Sequence, residues 1–192
     1  MSLPQRDTLH HTYADYLTWP DEERYELIDG VAYVKEPAPS RFHQELAGEL
    51  YYQVRVALEG TSFRAYVAPF DVRLPKLGEA DDQIDTVVQP DVLIVRHLNK
   101  LDVRGMCGAP DWLAEVLSPT TARHDQLIKL PVYERAGVPE VWLVHPTPRT
   151  LTIHRLENGR YGRPIVLELK GRTAISAIPG VSIDWDRLPA NS

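Results

Sequence analysis

Cysteine is nearly absent from this chain. Cys107 is alone among 192 residues, which excludes an intramolecular disulfide and a zinc cage built from thiolates. Long apolar runs are missing as well: a charge breaks each within about eight residues, against the roughly 18 to 20 needed to cross a bilayer. No membrane span is expected. The start of the chain lacks the basic-then-apolar pattern of a secretory signal, so a cytoplasmic protein is expected. A surplus of positive charge is lacking too, since 21 Lys and Arg face 27 Asp and Glu for a net charge of −6. That argues against a broad electrostatic grip on nucleic acid, but not against a local carboxylate site whose charge a bound cation offsets. There is no internal repeat and no low-complexity tract.

What is present is an ordinary folding composition, 43% hydrophobic and 25% charged, and the length suits a single domain over residues 1–192. A short helix is expected near 13–18, with Asp21 as the cap of a further turn. Asp29-Gly30 supplies the positive backbone angles of a two-residue hairpin turn between strands in 24–36. Ser40 is placed to cap a helix over 41–58, in which Phe42, Leu46, Leu50, Val54 and Leu58 recur every four residues. A strand follows at 62–67, and 71–75 continues it or forms the next strand after a bend at Pro69. Residues 76–85 read as an exposed loop, the part most prone to disorder, and 97–108 as a polar connection. Ser118, Thr120 and Thr121 can cap a helix running to Ala136, which Gly137 ends and Pro131 should kink. A strand at 140–144 and antiparallel strands within 150–184 complete the chain.

Three apolar runs of strand length, at 92–95, 112–117 and 141–144, each carry or adjoin a polar residue that the hydrophobic pattern does not require. Asp91 opens the first directly after Pro90, and Glu115 interrupts the second. Two carboxylates meeting on a sheet are costly to bury unless protons or a cation neutralise them. Mg²⁺ or Mn²⁺, which prefer oxygen and typically take one or two carboxylates from the protein, fit Asp91 and Glu115, with the carbonyl of Val116 as a third ligand. Each residue has a simpler reading. Asp91 could only end a strand, and Glu115 could point outward from a half-exposed one, although apolar residues on both alternating faces argue for a covered strand. His124, His145 and His154 show no metal-ligand spacing.

Pro90-Asp91 followed by Glu115 in an apolar strand, within this order of helices and strands, resembles the core of the PD-(D/E)xK restriction-endonuclease-like superfamily. More narrowly, Tyr25-Glu-Leu-Ile-Asp-Gly30, Pro90-Asp91, Glu115-Val-Leu-Ser-Pro119, Asp125 with Lys129, and Ala136-Gly-Val-Pro-Glu-Val-Trp142 look like the Uma-type family of bacterial restriction endonucleases, over about residues 24–160. The resemblance implies an α/β fold with a restriction-endonuclease-like core at about 41–145: a central mixed β-sheet flanked by helices. An N-terminal helix and hairpin (10–36) and C-terminal antiparallel strands (150–184) are added to it. It implies a metal-dependent endonuclease acting on nucleic acid, DNA above all, working as a homodimer because two sites are needed to cut both strands.

The superfamily's lysine two residues after the acidic one is replaced here by Leu117. In some members the lysine projects from the following helix, which makes Lys129 its candidate, and an ammonium acting on the transition state predicts that Lys129→Ala abolishes cleavage with folding nearly intact. The competing reading is a solvent-exposed pair with Asp125 worth a few tenths of a kcal/mol. Glu26 and His43 match the family's early acidic residue and helix histidine and would border the metal, as would Tyr133; His43 could equally be a surface histidine and Tyr133 only packing. Two alternatives stay open: a binding module of the same fold without catalysis, whose carboxylates would be locked in salt bridges, and a hydrolase of small phosphoesters with a narrow closed pocket.

Overall fold

The computed structural model describes residues 6–20, 24–35, 40–119 and 122–188. Asp21, Thr120 and Thr121, expected above as capping residues, lie outside the described residues. The three apolar runs form the middle of a seven-stranded sheet. Its order is β12 (Arg160–Tyr161), β11 (Thr150–Glu157), β10 (Glu140–His145), β9 (Trp112–Val116), β6 (Val92–Val95) and β3 (Arg64–Val67), with β13 (Ile165–Glu168) also paired to β11. The sheet is mixed: β9 and β10 run parallel, while β6 runs antiparallel to both β9 and β3. All four residues of β6 and all five of β9 are buried, as expected of strands covered on both faces.

The covering layers differ. On one face α2 (Arg41–Ala57) lays Leu46, Ala47, Leu50 and Val54 against Val92, Ile94, Trp112, Ala114 and Val116. Ser40 caps this helix by accepting a hydrogen bond from the His43 N–H at 3.2 Å, as the sequence implies. On the other face Val132, Tyr133 and Val138 meet Leu93, Leu113, Leu117 and Leu143. These come from the helix after β9, which runs as α3 (Ala122–His124), a π-helical turn (Asp125–Lys129) and α4 (Leu130–Ala136), and stops at Gly137 with φ +84°. Pro131 does not break it. A proline ring collides with the carbonyl four residues back in an α-helix, and the wider π turn directly before it relieves that collision.

A second, six-stranded sheet goes beyond what the sequence reading anticipated. Its order is β2 (Val31–Val34), β1 (Tyr25–Ile28), β5 (Val87–Val88), β4 (Val72–Arg73), β8 (Gly105–Cys107) and β7 (Leu101–Asp102). The hairpin at Asp29-Gly30 forms as expected, with φ of +49° and +78°, and becomes part of this sheet. Residues 97–108 are therefore not simply a polar connection: they hold the β7–β8 hairpin, with Met106 fully buried. The expected loop at 76–85 is tied down at both ends. Lys76 reaches Asp85 at 2.5 Å and Asp29 at 3.3 Å, Arg73 pairs with Asp81, and Ile84 is buried beneath Tyr13 of α1 (Tyr13–Tyr16). At the C-terminal end β14 (Arg172–Ala174) and β15 (Ser182–Asp184) pair on the α2 side, where Gln53 accepts from the Asp184 N–H and donates to the Asp184 carbonyl. Among the described residues no helix is long and apolar enough to cross a membrane.

Candidate active site

The register of β6 against β9 decides where the two carboxylates stand. Val92 faces Ala114, so the next step beyond that pair sets Asp91 across from Glu115. They are not on opposite faces of the sheet. Asp91 turns its carboxylate towards β9, where Oδ2 accepts the Val116 N–H at 2.7 Å and a hydrogen bond from His43 Nε2 at 3.2 Å. His43 is thus no free surface histidine: the first turn of α2 points it at the strand opening. Burial disfavours the charged ring, but the Asp91 hydrogen bond and charge outweigh it, helped by the Val116 carbonyl, and His43 is held above its ordinary value. Burial opposes ionisation of Asp91 too, yet His43, Lys35 and the Val116 N–H hold it below the usual carboxylate range.

Glu115 is buried, 2% exposed, so the half-exposed strand is excluded. Its Oε1 lies 2.6 Å from Lys129 Nζ and accepts the Tyr133 hydroxyl at 2.5 Å. The reading of Lys129 and Asp125 as a solvent-exposed pair is overturned: Lys129 is 1% exposed and Asp125 is buried. The π turn puts Asp125, Lys129 and then Tyr133 on the face towards the sheet, and the Lys129 ammonium also reaches Glu26 at 3.0 Å and Asp125 at 3.4 Å. Position 117 shares the face of Glu115, since Leu117 packs with Leu113 in the same layer. The ammonium from the helix therefore arrives on the side where a strand lysine would have stood.

Glu26 completes the cluster from β1. It accepts from the Gln89 N–H at 2.8 Å and pairs with Lys35 at 3.4 Å and His124 Nε2 at 3.0 Å. Burial works against its charge, but Lys129, Lys35 and His124 prevail and keep it well below the usual range. Glu115 goes the other way. Burial, and then the charges of Asp125, Asp91 and Glu26, push its carboxyl up to about 8 in spite of Lys129; Asp125 is raised for the same reasons. Four carboxylates here share two lysines and two histidines.

Sequence reasoning missed Lys35 and His124. His124 gave no signal because its partner Glu26 lies 98 positions away, and Lys35 reads as an unremarkable strand-end lysine. The surroundings of Lys129 change the expectation for Lys129→Ala: removing an ammonium that lies among three carboxylates should cost stability as well as cleavage. Tyr133→Phe is a milder change. It takes one buried donor from Glu115, so thermal unfolding should show a loss of about 1 to 3 kcal/mol, whereas an unchanged melting temperature would reduce Tyr133 to packing.

Among the described residues, no three His, Cys, Asp or Glu side chains form a metal cage by themselves. The donor set still suits a hard cation held by few protein ligands. Among the described residues, Asp91 Oδ1 and Glu115 Oε2 accept no hydrogen bond.

A mixed sheet with helices on both faces, a Pro-Asp step opening one strand and a glutamate inside the next together define a restriction-endonuclease-like α/β fold. The chain belongs to the Uma2 family, described as "Putative restriction endonuclease", whose model matches residues 13–186. It is similar in structure to "a putative nuclease belonging to DUF820" from Anabaena variabilis, with a TM-score of 0.72 at 19% identity over 92% of this chain and 96% of that one. Identity that low speaks for the fold alone. No match is found among curated proteins.

Proposed function

We propose that the protein is a divalent-metal-dependent endonuclease that hydrolyses phosphodiester bonds in nucleic acid, with DNA as the substrate. The observation that carries this reading is the convergence at one sheet end of Asp91, Glu115 across from it, and Lys129 with its ammonium 2.6 Å from Glu115. Asp91, Glu115 and the Val116 carbonyl would hold Mg²⁺ or Mn²⁺, which would supply Lewis acidity towards a phosphoryl oxygen and an attacking water. The protein groups do the rest. His43 and the Val116 N–H fix the Asp91 carboxylate, Tyr133 fixes Glu115, and Glu26 and Asp125 hold the Lys129 ammonium where it can orient the water and meet charge developing on the phosphate. Cutting both strands of a duplex calls for two such sites, hence a homodimer, and a cytoplasmic place of action accords with the chain.

The Glu115–Lys129 ion pair also suits a binding module that has lost catalysis, because a carboxylate so engaged is less available to metal. Cleavage separates the two. End-labelled DNA incubated with Mg²⁺ or Mn²⁺ should be cut by the wild type, spared when a chelator is added, and spared by Glu115→Gln. Intact DNA in every lane, with binding preserved, would establish the non-catalytic module.

A further inference from the structure

We propose that the cleft between the Pro69-Phe70 corner and the tip of the β7–β8 hairpin is a nucleobase subsite, which takes one unpaired guanine of the substrate beside the scissile phosphate. The proposal rests on the nuclease reading for its substrate and goes beyond it in the base that is read. The cleft has a volume of about 340 Å³, at the lower end of the roughly 300 to 1,000 Å³ typical of small-ligand sites. Its floor and one wall hang from the backbone around Asp91. Gln89 in the floor stands two residues before Asp91, donates its N–H to Glu26 and offers its carbonyl to Lys35 at 3.1 Å. Ala68, next to Pro69, donates its N–H to the Asp91 carbonyl at 3.0 Å. The segments that line this cleft thus adjoin Asp91, so a base bound here would belong to a nucleotide close to the proposed metal site.

The wall is aromatic. Phe70 stacks on Tyr66 with centroids 4.1 Å apart and planes at 14°, and Phe70 also lines the cleft. A third flat ring would extend this stack, and such base stacking is sequence-tolerant and strong on this scale. The opposite wall is brought close by Gly105. Its φ is +133°, a Cβ there would stand 2.2 Å from the Asp71 carbonyl oxygen, and Met106 donates its N–H to that same oxygen at 3.0 Å. Val103, wholly exposed at the hairpin tip, is an apolar rim with nothing to cover in the free protein.

The floor supplies acceptors. Asp71 Oδ1 is held by the Tyr16 hydroxyl at 3.1 Å and by Gln89 Nε2 at 2.8 Å, while Oδ2 accepts nothing among the described residues. Gln89 is 7% exposed, and its Oε1 is buried without a hydrogen-bond partner, a cost that a donor on a ligand would remove. Asp71 Oδ2 and Gln89 Oε1, acceptors without a donor on two side chains that touch each other, suit the ring N–H and amino group on the Watson–Crick edge of guanine. In a duplex that edge is already paired, so the base must be unpaired. The second carboxylate of the cleft does not repel the substrate, because Asp102 is paired with Arg73, and the exposed Arg104 at the tip is free to meet a phosphate.

Single-stranded oligonucleotides carrying 6-methylisoxanthopterin, a fluorescent guanine analogue that keeps the ring N–H and the amino group and is quenched by stacking, test this. Fluorescence is read as the initial amplitude on mixing, with Mg²⁺ and again with a chelator, so the signal does not depend on cleavage. The wild type should quench the probe, and Phe70→Ala and the bulkier Phe70→Leu should both abolish the quenching and bind roughly five- to a hundredfold more weakly. Asp71→Asn should keep the quenching but lose the preference for competitor strands with guanine at the probed position. No quenching by the wild type, or undiminished quenching by folded Phe70→Leu, would overturn the subsite while a cleaving wild type left the nuclease reading intact. Quenching without cleavage would do the reverse.

Discussion

Lys129→Met is expected to cost about 3 to 5 kcal/mol of stability, the range for removing one partner of a buried ion pair, and to abolish cleavage together with it. For a chain of this size that is a fall of roughly 6 to 20 °C in melting temperature. The ammonium is within 3.4 Å of each of Glu26, Glu115 and Asp125, and methionine fills its volume without its charge. The remaining carboxylates must then take up protons or stay buried and uncompensated. Thermal unfolding measures the first effect and cleavage of labelled DNA the second. The two are separable with a second substitution. Leu117 faces the same side of β9 as Glu115, so Leu117→Lys in the Lys129→Met background should return part of both stability and cleavage. A folded Lys129→Met protein that cuts at the wild-type rate would remove the lysine from the mechanism.

Asp91→Asn carries the second large effect. Substituting a residue that only supports a metal ligand typically costs 10- to 100-fold in affinity or activity, so replacing a direct ligand should lower the cleavage rate at least about 100-fold. The fold should survive, since an amide of the same shape can still accept from the Val116 N–H, now at 2.7 Å from Oδ2. The weaker contact is that with His43, whose charge would lose its counter-ion. Cleavage within a fewfold of wild type would place the chemistry elsewhere.

Much of this arrangement was legible in the sequence for a definite reason. A glutamate inside Trp-Leu-Ala-Glu-Val-Leu breaks a pattern that burial otherwise dictates, and a broken pattern is visible without a structure. The helix at 41–57 and the hairpin at Asp29-Gly30 are equally plain, because fourfold apolar spacing and a turn dipeptide are local signals. The second sheet was not legible. Its strands β4, β5 and β7 have two residues each, too short for a two-residue period to register, and their pairing is set by contacts far along the chain. Lys129 misled for another reason. Asp125 and Lys129 at i and i+4 look the same on an exposed helix as on a buried one, and nothing in the sequence announces that a π turn will rotate both towards the sheet. Glu26 and His43 entered through a family likeness, and the partners that explain them, His124 and Asp91, are 98 and 48 positions away.

The central claim is that Asp91 and Glu115 hold a divalent cation, and metal-linked stabilisation tests it most directly. Wild type and Asp91→Asn are each unfolded thermally across a titration of Mg²⁺ and of Mn²⁺, and only the increment due to metal is compared, so any intrinsic effect of the substitution cancels. Binding to the folded state alone adds about 2.7 kcal/mol when metal is present at about 100 times its dissociation constant, or roughly 5 to 11 °C for a chain of this size. The wild type should show this rise and Asp91→Asn little or none. An equal rise in both proteins, or none in the wild type, would contradict the site.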